Sequence, residues 1–422
     1  MDKNTQKFLI VGGNRLKGTV KVNGSKNASL PILAATLLCT ETARLKDIPN
    51  LQDIKNMKDV LGYLGAKVTS NGHDVVIDSG NVQSVEIAED LMRLMRASNL
   101  VLGPLLARFR FVKISYPGGC NIGSRPMDLH LKGLKKMGAH ISEKFGYITA
   151  EAPNGLQGAE IHLDLPSVGA TENLMMAATM ANGQTIIRNA AKEPEITDLQ
   201  DFLNAMGAKV TGAGTDTIRI EGVESLHATE YKVIPDRIEA GTYIVAAAIT
   251  GSEIVIKNVI SEHLEPVIAK LTEAGVQMTV KEDSIRVHSC ERPKAVDIKT
   301  MPYPGFPTDM QPQMMALLSV AEGTSIIKET IFENRFKHVA ELRRMGADIT
   351  LEGNTAIIRG VPSLSGAYVE ASDLRAGAAL VLAAMAAEDG TVLNAIEHID
   401  RGYERIEKKY NSLGARIIRV NS

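Results

Sequence analysis

The 422-residue chain carries 47 basic and 49 acidic side chains, a net charge of −2 and a hydrophobic content of 44%. That length provides for two domains or one large repeat array with an ample core, and the near-neutral balance argues against nonspecific nucleic-acid binding as the main activity. No run of about 18 apolar residues suits a membrane span, no tryptophan is present to stack bases, and Cys39, Cys120 and Cys290 are too scattered for a disulfide framework or a metal cluster.

The chain begins with polar Met1 to Lys7 and passes directly into strand-like Phe8 to Val11, without signal-peptide architecture, so a cytoplasmic protein is expected. The first long apolar stretch, Ala28 to Leu38, contains Pro31 and is too short to cross a bilayer. From there one signature recurs to the end. It reads Leu64-Gly65-Ala66-Lys-Val68, Met137-Gly138-Ala139-His-Ile141, Met206-Gly207-Ala208-Lys-Val210, Ala274-Gly275-Val276-Gln-Met278, Met345-Gly346-Ala347-Asp-Ile349 and Leu413-Gly414-Ala415-Arg-Ile417. The glycines at 65, 138, 207, 275, 346 and 414 are separated by steps of 73, 69, 68, 71 and 68 residues, a sixfold internal repeat.

Each copy shares one local logic. A helix such as Asp198 to Met206 stops at its glycine. A strand, a polar turn and a second strand follow, as in Ser70 to Asp74 before Val75 to Ile77, and Gly212 to Asp216 before Ile218 to Ile220. Between signatures lies a more apolar helix and another strand. The spacing predicts helices over Asp236 to Thr250, Asp309 to Glu322 and Asp373 to Glu388, with strands over Glu253 to Ile256, Ser325 to Ile327 and Thr391 to Leu393. Units of this size can each bury a small core. Six of them predict an α/β protein of two pseudo-threefold globules, apolar helices inside and charged helices facing water. A cleft between globules is the expected ligand site.

The stretch with most chemistry is Ser115-Tyr-Pro-Gly-Gly-Cys120-Asn-Ile-Gly-Ser-Arg125-Pro-Met-Asp-Leu-His130. A glycine-rich loop carries a thiol into a helix on which Met127, Leu131, Leu134 and Met137 recur at spacings of three and four. Pro126 suits a first helical position. The free N–H groups and positive dipole end of such a helix, with Arg125 beside them, hold an anion and make a nearby thiol more acidic. A buried, inert cysteine is the alternative.

These residues resemble the enolpyruvyl transferase superfamily along the whole chain, most closely its branch acting on a nucleotide sugar. The matching motifs run in order: Gly24-Ser-Lys26-Asn27-Ala, Met95-Arg96-Ala-Ser, Pro117-Gly-Gly-Cys120, Arg125-Pro-Met-Asp-Leu-His130, Ser167-Val-Gly-Ala-Thr171, Pro235-Asp-Arg237, Phe306-Pro-Thr-Asp309-Met-Gln, Phe332-Glu-Asn-Arg335, Asp373-Leu-Arg375 and His398-Ile-Asp-Arg401-Gly-Tyr-Glu-Arg405. The resemblance implies an inside-out α/β barrel of six repeats in two domains, 22–234 and 1–21 plus 235–422, with the active site in the cleft between them. It implies transfer of the enolpyruvyl group of phosphoenolpyruvate to the 3′-hydroxyl of UDP-N-acetylglucosamine with release of phosphate, the first committed step of peptidoglycan synthesis. Neither a metal nor an organic cofactor is implied. The implied partners are the two small-molecule substrates, without nucleic acid or membrane; oligomeric state stays open.

The same resemblance assigns Cys120 as general acid, able also to form a covalent adduct with phosphoenolpyruvate, and Asp309 as the base near the sugar hydroxyl. By position alone, Asp309 reads as a helix N-cap. Lys26, Arg125 and Arg401 match positions that hold phosphoenolpyruvate, Lys26 and Arg401 with catalytic roles; Asn27, Arg335 and Arg375 complete that set. The nucleotide sugar falls to Asn27, Arg96, Arg125, Pro126, Met127, Asp128, Leu129, Ser167, Val168, Gly169, Asp309 and Ile331. His130 lies beside this set, where a histidine on a helix face is ordinarily structural. Arg401 and Arg405 flank Glu404, so a plain salt bridge competes with ligand binding there. One departure stands out: Leu165-Pro166 occupy the place of a lysine common in the family, which removes one nucleotide contact. The rival activities are the sister transfer to shikimate 3-phosphate and a non-catalytic regulatory paralogue.

Overall fold

The computed structural model describes residues 6–118, 122–123, 127–288 and 292–421. Cys120, Arg125, Pro126 and Cys290 lie outside the described residues. The chain divides into two compact units. The N-terminal unit comprises Gly24–Cys120 and Arg125–Ile234; the C-terminal unit comprises Met1–Asn23, Asn121–Ser124 and Pro235–Ser422.

Three sheets build the N-terminal unit among the described residues. Their strand orders are Glu230–Lys232, Thr42–Lys46, Asp74–Asp78, Lys67–Asn71; then Lys209–Thr211, Thr217–Glu221, Gln184–Arg188, Glu160–His162; then the three-stranded Phe111–Ser115, Tyr147–Glu151, His140–Lys144. The C-terminal unit repeats the plan. Its sheets run Tyr368–Glu370, Gly390–Asn394, Gln6–Val11, Arg416–Asn421; then Met278–Val280, Ser284–Val287, Glu253–Lys257, Lys17–Lys21; then Ile298–Lys299, Thr324–Lys328, Thr355–Arg359, Asp348–Glu352. In each four-stranded sheet one outer strand pairs in parallel and the other two pairings are antiparallel, as in Ile254 beside Gly18 and Ile254 opposite Val287. The strands are short and alternate: in Gln6–Val11, Phe8 and Ile10 are buried while Val11 is exposed. The chain's first two strands thus enter sheets of the C-terminal unit, pairing with Gly390–Asn394, Arg416–Asn421 and Glu253–Lys257.

Helices that are apolar on every side are buried whole. In the N-terminal unit, Lys26–Ala35 is buried from Ala28 onward and Val168–Ala178 from Ala170 onward. In the C-terminal unit, Arg237–Ile249, Gln311–Leu318 and Leu374–Ala386 pack against one another and are buried throughout, apart from Arg237 and Ala386 at two ends. Charged helices show one-sided burial: Ile54, Met57, Val60 and Leu61 in Gln52–Tyr63, and Leu131 and Leu134 in Asp128–Lys136. Each unit holds its own hydrophobic core.

The six signature glycines share one conformation. Gly65, Gly138, Gly207, Gly275, Gly346 and Gly414 have φ between +89° and +106°. The left-handed region ends each helix and turns the chain into the next strand, and a Cβ is strained there. Two predicted elements differ from the structure. The helix expected over Asp309 to Glu322 is a 3-10 turn, Thr308–Met310, followed by Gln311–Leu318. Pro312 sits in the first turn of that α-helix, where its missing N–H does no harm. The helix after the glycine loop begins at Asp128, with Met127 as its cap.

Candidate functional site

The N-terminal unit gathers the first group of predicted residues on helix starts. Ser25 caps Lys26–Ala35, its hydroxyl accepting from the Ala28 N–H. This cap brings Lys26 and Asn27 to the first turn, both half-buried. Lys26 Nζ lies 3.3 Å from Asp53 Oδ2, with side-chain exposures of 12% and 3%. Breaking so buried a pair by removing one partner costs about 3–5 kcal/mol. Arg96 opens the 3-10 segment Arg96–Val101 directly after extended Met95.

The glycine loop is anchored at its stem. The Gly118 N–H donates to the Met92 carbonyl at 3.0 Å, and a Cβ at Gly118 would stand 1.9 Å from the Arg93 carbonyl oxygen. Only glycine fits that approach. Beyond the loop Met127 is buried, Asp128 exposed and Leu129 half-buried. Ser167 caps Val168–Ala178, its hydroxyl accepting from the Ala170 N–H at 3.3 Å. Leu165, in the place of the family lysine, is 68% exposed.

His130 is buried, at 4% exposure. Burial, followed by the Arg96 charge, pushes its pKa down to about 3, so the ring is neutral.

In the C-terminal unit Asp309 is clamped by two arginines. Arg335 Nη2 donates to Asp309 Oδ1 at 3.0 Å, while Arg375 Nε and Nη2 donate to Oδ2 at 3.2 and 3.1 Å. The two guanidinium side chains are 2% and 3% exposed, against 27% for Asp309. The capping alternative for Asp309 is therefore set aside: it lies inside the 3-10 turn, and both carboxylate oxygens face guanidinium groups. Capping belongs instead to Asp236 and Asp373, each accepting two backbone N–H groups at the start of Arg237–Ile249 and Leu374–Ala386. The Asp373 cap sets Arg375 in the first turn, its guanidinium 5.4 Å from the Tyr403 ring centre.

Ile331 is held by a residue that sequence reasoning missed. Buried Glu329 accepts from the Ile331 and Phe332 N–H groups and from the hydroxyls of Thr300 and Thr308, at 2.8 to 3.3 Å. It ties the Ile331 segment to the turn bearing Asp309. Arg401 is half-buried at the end of Glu397–Asp400. Nearby, Glu404 accepts from Asn23, and Arg405 pairs with Glu407 at 3.4 Å. His338, also unforeseen, is fully buried beside Arg335 and Asp373; burial holds its pKa well below the usual histidine range. Asp53 and Asn173 were missed as well. Asn173 follows Thr171 and Glu172 in the helix, so its polarity alone did not mark it out.

Each of the two α/β units, made of three sheets, sets buried or half-buried cations against a carboxylate, Lys26 on Asp53 in one and Arg335 and Arg375 on Asp309 in the other, side chains that suit the handling of anionic substrates. A family model described as EPSP synthase (3-phosphoshikimate 1-carboxyvinyltransferase) matches residues 10–410, and the chain belongs to this family of enolpyruvyl transferases. Within it, the UDP-N-acetylglucosamine 1-carboxyvinyltransferase 1 of Carboxydothermus hydrogenoformans is 61% identical over 416 residues, covering 99% of both chains. The UDP-N-acetylglucosamine 1-carboxyvinyltransferase 2 of Caldanaerobacter subterraneus is 57% identical over 415 residues, covering 98% of this chain and 99% of its own. Among solved structures, the enolpyruvyl transferase NikO from Streptomyces tendae superposes with a TM-score of 0.90 at 26% identity, over 99% of both chains. The EPSP synthase of Acinetobacter baumannii shares the fold, with a TM-score of 0.78 at 20% identity.

Proposed function

We propose that this chain transfers the enolpyruvyl group of phosphoenolpyruvate to the 3′-hydroxyl of UDP-N-acetylglucosamine and releases phosphate, the first committed step of peptidoglycan synthesis, in the cytoplasm. The observation that carries the reading is the 61% identity to a carboxyvinyltransferase of that substrate over 99% of both chains. The six sheets and buried apolar helices support the inside-out barrel of six repeats, with domains near 22–234 and 1–21 plus 235–422.

In this reading the 3′-oxygen attacks C2 of phosphoenolpyruvate while its proton passes to Asp309. Cys120 protonates the C3 methylene, giving a tetrahedral adduct. The Cys120 thiolate then takes a C3 proton back as phosphate leaves with the proton held by Asp309, which restores the double bond, the thiol and the carboxylate. The Asp309 carboxylate accepts from Arg335 on one oxygen and from Arg375 on the other, which fixes its orientation. Lys26, Arg125 and Arg401 neutralise the phosphate and carboxylate; Asn27, Arg335 and Arg375 complete the cationic and polar lining. Arg96, the 125–129 segment, 167–169 and Ile331 hold the nucleotide sugar.

Purified protein supplied with phosphoenolpyruvate and UDP-N-acetylglucosamine is expected to release inorganic phosphate, and with shikimate 3-phosphate in place of the sugar nucleotide to release none. The reverse pattern assigns the sister activity; silence with both marks a non-catalytic paralogue. An epoxide phosphonate such as fosfomycin is expected to add its mass to the protein at Cys120, read by intact and peptide mass spectrometry.

A further inference from the structure

Beneath three of the segments assigned to the nucleotide sugar lies a buried amide that touches Asn99, His130 and Gly169. Asn173 is 0% exposed in the middle of Val168–Ala178. Its Oδ1 accepts from the Gly103 N–H at 2.8 Å. Its Nδ2 stands 3.2 Å from the Asn99 carbonyl, 3.1 Å from His130 Nδ1 and 3.5 Å from the Gly169 carbonyl. Asn99 in turn donates through its own Nδ2 to Met127 Sδ at 3.0 Å.

The Gly103 bond fixes which way the amide points. A flipped Asn173 would set its NH2 against the Gly103 N–H, donor against donor. With Nδ2 facing His130, Nδ1 of that ring must be the acceptor, so the proton sits on Nε2. The neutral state imposed by burial agrees with this. The ring then packs under Gly169, where an added Cβ would stand 3.3 Å from His130 Cε1. Gly103 is closer still from the other side: a Cβ there would meet the Asn173 backbone carbonyl at 2.3 Å. One amide therefore joins the 3-10 segment that begins at Arg96, the helix start at Met127 to Leu129, and the helix start at Ser167 to Gly169.

We propose that Asn173 and His130 form a positioning pair that holds these three segments in the register the nucleotide sugar requires, without touching it. The inference rests on the functional reading above, and the test separates the two. His130→Leu removes the acceptor at Nδ1, whereas His130→Asn keeps an oxygen near that place. UDP-N-acetylglucosamine binding is measured by calorimetry, and steady-state constants for both substrates by phosphate release. His130→Leu is expected to weaken UDP-N-acetylglucosamine binding and raise its KM about tenfold or more, the scale of a lost buried hydrogen bond. The KM for phosphoenolpyruvate should stay within about twofold, and His130→Asn should recover most of the affinity. Asn173→Asp, which turns a donor towards two carbonyls into an acceptor, should behave like His130→Leu.

The ring's tautomer gives a second readout, independent of activity: ¹⁵N NMR of wild-type protein should find the His130 proton on Nε2. A proton on Nδ1 overturns the pair. So does a loss shared equally by both substrates, or the same affinity in His130→Leu and His130→Asn. Wild-type protein that binds no UDP-N-acetylglucosamine overturns the functional reading and this role with it. Wild-type binding with unchanged variants overturns this role alone.

Discussion

At the scale of single residues, Asp309 carries two loads. Its carboxylate is the counter-charge for Arg335 and Arg375, which are 2% and 3% exposed. Asp309→Asn keeps the shape and removes the charge, leaving two buried guanidinium groups facing a neutral amide. The expected loss of stability is about 3 kcal/mol, read by denaturant unfolding, together with a fall in turnover of about 10²-fold or more. Wild-type turnover in that variant would dismiss Asp309 as the base. The role proposed for Cys120 is proton donation to the C3 methylene. Cys120→Ser is expected to lose most turnover, because a hydroxyl donates its proton poorly, while Cys120→Asp retains more; equal residual rates would count against the general-acid role. Position alone read Asp309 as a cap, since capping is decided within three residues, whereas its true partners lie 26 and 66 residues away along the chain. The carboxylates Asp53 and Glu329 escaped sequence reasoning for the same reason: what makes them special is a partner or a burial that no local pattern encodes.

At the scale of elements, the repeat was legible because its stop signal is chemical. Each signature glycine adopts a left-handed φ, and six positions with the same requirement leave six copies of the same residue. Apolar helices were legible for a related reason, since Ala, Leu, Met and Gly on all sides leave no face for water. Their ends were less so. The pattern Val320-Ala321 continues the apolar character past Leu318, where the helix stops, and no residue type marks that stop before Gly323. The glycines also differ in surroundings. A Cβ at Gly346 meets nothing within 4 Å, while one at Gly65 would stand 2.7 Å from the Asn81 carbonyl oxygen. Gly346→Ala is therefore expected to lose about 1–2 kcal/mol from backbone strain alone. Gly65→Ala should lose clearly more, because the neighbour is main chain and yields poorly. Thermal melts of the two variants decide it; equal losses would mean that backbone strain, not contact, dominates both.

At the scale of the whole molecule, the N-terminal unit carries two buried titratable groups of opposite pH dependence. His130 is neutral when folded, with a pKa near 3 caused by burial and then by Arg96. An unfolded histidine takes up its proton near pH 6.5, so the folded state holds its full advantage above that value and loses it as pH falls, by about 2 kcal/mol at pH 5. Asp198 runs the other way. Burial pushes its pKa up to about 7, against the hydrogen bonds it accepts from Tyr231 and the Ile234 N–H. A carboxyl raised in the fold is most favourable below its unfolded value of about 3.9, and its contribution is lost as pH climbs through 7. Asp198→Asn keeps an oxygen for Tyr231 and cannot ionise. Its stability relative to wild type is expected to rise between pH 5 and pH 8 by about 3 kcal/mol, while that of His130→Asn should rise in the opposite direction, from pH 7 towards pH 5. Urea unfolding of the three proteins across that range measures both slopes. Parallel curves for Asp198→Asn and wild type would show that Asp198 is already ionised in the fold, and that Tyr231 and the Ile234 N–H outweigh its burial.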